Sequence, residues 1–288
     1  MKTVKILIVA FCVIIVSSAL FADGTKGKLT FRGGMAFPLL SSTTRWSGSW
    51  DFYMLEVAQE GGNQSIEGGN AFLFNGSVAV FITPQFAIEG MFGYCKIDAP
   101  VDSSFNETHY WWDPYRRGPY SYSYDYSTTG SLSITPISFN GLYQFETSNS
   151  ITPYISGGLS IAPCSFKADA NTGLVYSVYA YFLQIAEVFK DAKLKIDESF
   201  TSLGINVGGG VDIKISSSVQ INIEARYIYL AKKEFNWEML PGTINGEYWG
   251  QWTLTQGTAD EFTNKYLTQA VVVNPSIFSI SGGITIRF

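Results

Sequence analysis

The sequence predicts an all-β chain, a closed antiparallel up-and-down β-barrel of eight strands that crosses a lipid bilayer. Three observations carry this expectation. First, Ser276 to Phe288 alternates: Phe278, Ile280, Gly282, Ile284, Ile286 and Phe288 fall on one face, and Ser279, Ser281, Gly283, Thr285 and Arg287 on the other. That is the two-residue period of a strand with an apolar and a polar side. Second, similar runs of about 9–13 residues recur along the chain, the length of a tilted strand spanning a bilayer. Third, the connections between them alternate short and long, as in transmembrane barrels. Unpaired backbone amides are not tolerated in lipid, so such a sheet must close on itself.

Composition agrees. Of 288 residues, 15% are charged and 16% aromatic, with 28 glycines; a typical protein carries about 25% charged residues. The N-terminus reads as an export leader over residues 1–22. Lys2 and Lys5 precede an apolar run from Ile6 to Val16, and Ser17, Ser18, Ala19 and Ala22 supply small residues for cleavage, after Ala22 or, as second choice, after Ala19. Cys12 lies inside the apolar run, away from the cleavage zone, which speaks against a lipoprotein. Removing the two leader lysines leaves 17 basic against 24 acidic residues, 17 − 24 = −7, which argues against nucleic acid as a partner.

Taken in order, the expected strands are Leu29–Phe37, Phe72–Ile82, Phe86–Lys96, Ser131–Phe145, Ile151–Ala162, Phe200–Lys214, Val219–Leu230 and the terminal stretch. Thr83-Pro84-Gln85, Glu146 to Ser150 and Ser216 to Ser218 read as tight turns. Leu39–Asn70, Ile97–Gly130, Pro163–Ser199 and Ala231–Pro275 read as long external loops. In the fourth strand the apolar parity changes at Pro136, from Leu132 and Ile134 to Ile137, Phe139, Tyr143 and Phe145, which predicts a β-bulge at Thr135-Pro136. Within the third loop, Val178, Phe182, Ile185 and Phe189 fit a short helix over the barrel mouth, with a strand extension as the alternative. Phe235–Leu240 and Glu247–Thr255 around P-G-T-I-N-G read as a hairpin, taken as part of the fourth loop; were it in the wall, the barrel would have ten strands.

The motifs P-Y-I-S-G-G-L at Pro153–Leu159, G-G-G-V-D-I-K-I at Gly208–Ile215 and I-N-I-E-A-R-Y at Ile221–Tyr227, with the terminal Phe288, give the chain a family likeness. It resembles the small eight-stranded outer-membrane barrels of the OmpA, OmpW and opacity-protein kind, over nearly the whole mature chain. The resemblance implies an outer-membrane location and an assembly signal, read by the barrel-assembly machinery, at Ile284, Ile286 and Phe288. The loops are longer than in the simplest members.

By strand parity Arg32, Glu89, Asp212, Lys214, Glu224, Arg226 and Arg287 point inward. Eight strands leave room only for side chains, so the expectation is a lumen plugged by an ionic network, with a gated ion path as the sharper alternative. His109, the only histidine, has Glu107 and Asp113 nearby but no orienting partner or nucleophile, and reads as a surface residue rather than a catalytic one. No metal or cofactor site is expected. Tyr120, Tyr122, Tyr124 and Tyr126, with Trp111 and Trp112 beside them, read as a girdle or projecting strand, or as a surface for a ligand or host factor. Cys95 and Cys164 face inward on strands separated by another, a spacing that a disulfide bridges only if the rim pinches inward. The functional expectation is a non-enzymatic envelope barrel with a structural and adhesin-like role; a narrow channel for small hydrophobic or ionic solutes is the alternative, and an enzyme a distant third.

Overall fold

A computed structural model describes residues 26–39, 42–52, 56–66, 68–111, 120–147, 150–180, 183–246, 250–254 and 270–288. The proposed leader lies outside them. In chain order the strands are β1 (Gly27–Pro38), β2 (Ser42–Phe52), β3 (Glu56–Ile66), β4 (Ala71–Phe81), β5 (Phe86–Asp98), β6 (Val101–Trp111), β7 (Tyr120–Ser127), β8 (Thr129–Ile134) and β9 (Ile137–Gln144). They continue as β10 (Ile151–Ala180), β11 (Leu183–Lys214), β12 (Val219–Leu230), β13 (Lys233–Phe235), β14 (Glu238–Met239), β15 (Gly242–Gly246), β16 (Gly250–Leu254), β17 (Val271–Val273) and β18 (Ile277–Arg287).

The antiparallel pairings close a ring. β1 pairs with β4, β4 with β5, β5 with β8 and β9, these with β10, β10 with β11, β11 with β12, β12 with β18, and β18 returns to β1. β8 and β9 occupy one position in the wall, so the ring has eight members, as the alternation predicts. Its outer face is apolar: Phe31, Phe74, Ile88, Leu159, Leu203 and Ile284 are each more than half exposed. A continuous oily belt of this kind belongs in lipid. Above the belt the outward positions turn charged. Asp197 on β11 accepts a 3.0 Å hydrogen bond from Lys167 and lies 3.3 Å from Lys195; hydrogen bonds from both lysines hold its carboxyl below the usual aspartate range.

At one end the wall strands join through short turns. The Thr83 hydroxyl accepts from the amides of Gln85 and Phe86, and Ser216 likewise from Ser218 and Val219; the side chains thus supply the acceptors that hold the reversal. At the other end the sequence expectation of open loops is corrected. β2, β3, β6 and β7 form a second, four-stranded sheet, and β10 and β11 run on as a single long hairpin. Ser, Gly and Trp richness suggested loop, yet each segment alternates and finds a neighbour to complete its amide ladder. Where the short helix was expected, 174–180 and 183–189 are strand, the alternative reading, with Leu174 opposite Phe189 and Val178 opposite Ile185; Phe182 lies outside the described residues. The fourth-loop hairpin forms with different arms: β15 and β16 pair from Gly242–Leu254 to Gly246–Gly250, so P-G-T-I-N-G is mostly arm rather than turn.

The predicted β-bulge is absent. Cys95 faces Ile134 and Phe92 faces Ile137, three residues apart on both strands, so register runs unshifted through Thr135-Pro136. Pro136 interrupts the strand assignment because it lacks an N–H, but its carbonyl still accepts from Gly93 at 2.8 Å. Leu132 and Ile134 therefore point into the barrel, and both are fully buried. The apolar parity changed because the lumen changes chemistry along its axis.

Candidate functional site: a lumen in two layers

The turn-end half of the lumen holds charge. Inward positions of β1, β5, β11 and β12 bring together Lys28, Arg32 and Arg226 with Glu89, Asp212 and Glu224, all at most 3% exposed. Arg226 grips Glu224 with two parallel bonds, Nε to Oε1 at 2.9 Å and Nη2 to Oε2 at 3.0 Å, and lies 3.4 Å from Glu89. Arg32 sits 3.3 Å from Glu224 and 3.8 Å from Glu89. Lys28 contacts Asp212 at 2.5 Å. Three cations meet three anions, so the layer is neutral.

Neutral side chains take up the remaining capacity except at Glu89 Oε1, which has no hydrogen-bond partner among the described residues and only Arg32 at 3.8 Å. Asn140 donates to Glu89 at 3.0 Å, Asn222 to Asp212 at 2.6 Å, and Tyr154 to Glu224 at 2.9 Å. Arg226 also donates to Ser156 and Asn206, and Arg32 to Asn75, Ser77 and Asn222. Buried charges persist when paired and hydrogen-bonded in this way. Glycine makes the room. A Cβ on Gly208 would stand 3.1 Å from Arg226 Nε, and one on Gly210 would stand 2.8 Å from the Tyr154 hydroxyl. The G-G-G motif of β11 thus leaves the space that the arginine and tyrosine occupy.

The hairpin-end half is dry. Leu73, Met91, Ile97, Leu132, Ile134, Phe166, Ile228 and Leu230 are buried in one apolar cluster. Phe235 closes over it, 5.8 Å from the Phe166 ring and 5.1 Å from Phe200. Cys95 and Cys164 belong to this layer as buried free thiols. Both register with Ile134 from opposite sides. They therefore stand two strand spacings apart, about 9–10 Å, beyond the reach of a disulfide; the Cys164 thiol bonds the Ala162 carbonyl instead. The disulfide left open by the sequence is not formed.

Of the other expected lumen residues, Lys214 is exposed at the turn end and takes no part, because its position on β11 is the last before the turn. Arg287 lies at the same rim, half-buried, donating to Gln220 and Gln144 at 3.0 Å each. Ile284, Ile286 and Phe288 are on the outer wall, 41–56% exposed. Sequence reasoning missed Lys28, because the first strand begins one turn of the pleat earlier than expected, and Tyr154, whose parity opposite Ile155, Leu159 and Ile161 would have assigned it inward. Trp111 ends β6, opposite Glu56; Trp112 lies outside the described residues. Tyr120, Tyr122, Tyr124 and Tyr126 are alternate positions of β7, and His109 is opposite Tyr120.

Residues 8–255 match the family model described as the outer membrane protein beta-barrel domain. The chain belongs to that family. As an outer membrane protein beta-barrel it resides in the outer membrane, with its belt in lipid. No curated relative matches it by sequence. Among solved structures it is similar to Neisserial surface protein A, at 13% identity over 92% of this chain and 97% of that one, with a TM-score of 0.39. It is also similar to the outer membrane protein OprG from Pseudomonas aeruginosa, at 12% identity over 91% and 96%, with a TM-score of 0.41. A third is Ail of Yersinia pestis, solved in complex with the heparin analogue sucrose octasulfate, at 8% identity over 91% and 99%, with a TM-score of 0.34.

Proposed function

We propose that this barrel is a sealed, non-enzymatic envelope protein with a structural and surface-interaction role, exerted through the hairpins at its external end. The observation that supports it most is the double closure of the lumen. An ion entering from the turn end meets a neutral layer in which each charge already has a partner. A polar solute entering from the other end meets the apolar layer around Ile134 and Phe166, where desolvation costs several kcal/mol. Side chains that fill an eight-stranded interior leave no water column. Lipid is the partner of the outer wall, and the barrel-assembly machinery that of Ile284, Ile286 and Phe288.

Planar-bilayer recording tests this reading. The expected result is an electrically silent bilayer with the wild type. Stepwise conductance that changes size with Glu224→Gln would instead promote the narrow-channel alternative. Deleting 104–127 is expected to abolish surface binding while leaving the heat-dependent gel mobility of the folded barrel unchanged.

A further inference from the structure

At the hairpin end of the belt, the outer face of the wall changes chemistry row by row, and the register resolves the steps. Phe92, Ile137, Ile161 and Leu203 form the last apolar row across the wall. The next outward row is Tyr94, Thr135, Pro163 and Thr201. Lys96, Ser133, Ser165 and Ser199 follow, and after them Asp98, Ser131, Lys167 and Asp197. Each row stands about 5 Å farther from the membrane centre than the last, from two residues at about 3.4 Å each and a tilt of about 40°. Tyrosine marks the boundary of the hydrocarbon, and the polar layer of a leaflet is about 5–8 Å deep. The lysine–serine row therefore lies within the headgroup layer, and the aspartate row at or beyond its outer edge.

The charge in this row is of one sign. Lys96 is exposed, with Phe72 on one side and Ser133 on the other, and makes no ion pair among the described residues. Farther out, by contrast, Lys167 and Lys195 are both committed to Asp197, at 2.9 and 3.3 Å. Ser133 and Ser165 are half-buried and Ser199 is exposed. Serine packs less surface against its neighbours than the β-branched and aromatic residues that favour strands, yet three stand abreast here. What they supply is hydroxyl donors. An ammonium beside several O–H groups suits the acceptor oxygens of a phosphate, and a lysine stem can lie on apolar surface while its head stays in the polar layer. The row belongs to one sector of the ring: β1 and β18 end instead on Phe37 and Phe278, whose rings are 6.2 Å apart.

We propose that the row Lys96, Ser133, Ser165 and Ser199 binds the phosphate of a lipid headgroup in the leaflet around the hairpin end. The proposal refines the lipid partner already given to the outer wall and rests on that reading. Two observations choose this occupant: the row is continuous with the lipid-facing belt, and its charge is complementary to phosphate. The test uses the full-length folded barrel in uncharged maltoside micelles, its folding checked by gel mobility with and without boiling. The probes are dihexanoyl phosphatidic acid, dihexanoyl glycerol and inorganic phosphate, and the readout is the amide shifts of Ser133, Ser165 and Ser199 by nuclear magnetic resonance. Phosphatidic acid is expected to shift these amides saturably, and to need at least fivefold more lipid with Lys96→Gln or with Ser133→Ala/Ser165→Ala. Lys214→Gln, at the turn end, is expected to change nothing. Equal shifts with dihexanoyl glycerol, shifts with no probe, or undiminished binding by both variants would overturn the proposal. Equal saturation by inorganic phosphate would overturn the lipid assignment in favour of a free anion. In each of these failures, a retained gel shift and a silent bilayer leave the sealed-barrel reading standing, so the two are told apart.

Discussion

Replacing Arg226 by methionine is expected to destabilise the folded barrel by about 3–5 kcal/mol, the range for breaking a buried pair. The loss follows from what the guanidinium leaves behind. Glu224 would keep only Arg32 and Tyr154, and Glu89 only Asn140 and a 3.8 Å approach to Arg32. Two buried carboxylates would then share one arginine. Urea titration followed by tryptophan fluorescence, with the boiled and unboiled gel as a second readout, measures the effect. Combining Arg226→Met with Glu224→Met removes one charge of each sign and restores neutrality, so the double variant should lose less than the sum of the two single losses. Arg287→Gln at the half-buried rim serves as the contrast. Its partners Gln220 and Gln144 are uncharged, and the expected cost is below about 1.5 kcal/mol.

The second large effect is expected at the seam. Gly283 on β18 registers with Arg32 on β1, and a Cβ there would run into the Phe31 carbonyl, the Arg32 Cα and the Phe31 carbonyl carbon. All are backbone, so no rotamer change relieves the clash. Gly283→Val should therefore force β18 away from β1 at the point where the ring closes. Because amides in lipid must be paired, the expected outcome is failure to assemble, read as loss of the heat-dependent mobility shift and accumulation of unfolded chain. Gly282→Val is the neighbouring control. Its position faces outward, and the nearest atom to an added Cβ is the Asn222 carbonyl oxygen at 3.8 Å, so the barrel should form.

Much of this architecture could be read from the chain because a two-residue period and a closed lipid-facing sheet constrain each other. The alternation in Val219 to Leu230 assigns Glu224 and Arg226 inward and Ile221 and Ile223 outward without any coordinates, and the short turns at Thr83 and Ser216 fix where the wall reverses. What resisted was the assumption that apolar residues in a barrel strand face lipid. Leu132 and Ile134 broke it, since the lumen is ionic at one end and dry at the other, and the change looked like a bulge. Cys95 and Cys164 belong to the same dry layer, which explains buried thiols in an exported chain better than a crosslink does. The segments taken as loops failed for another reason. Glycine and serine are as common in turns as in these strands, and a cross-strand partner such as Glu60 for Glu107 is visible only once register is known. Lys28 and Tyr154 were within reach of parity alone; a strand boundary placed two residues late concealed the first.

The central claim is that the polar face of the wall is sealed from both water and lipid. Nuclear magnetic resonance of the folded barrel in lipid nanodiscs tests it without altering a residue, by following solvent exchange of the arginine Nε protons alongside through-space transfer from lipid chains. The account predicts a slowly exchanging Arg226 Nε proton at neutral pH with no transfer from lipid, while Ile221, Ile223 and Ala225 on the same strand receive strong lipid transfer. An Arg226 proton exchanging at the rate of a free guanidinium, or one that receives lipid transfer, would contradict it.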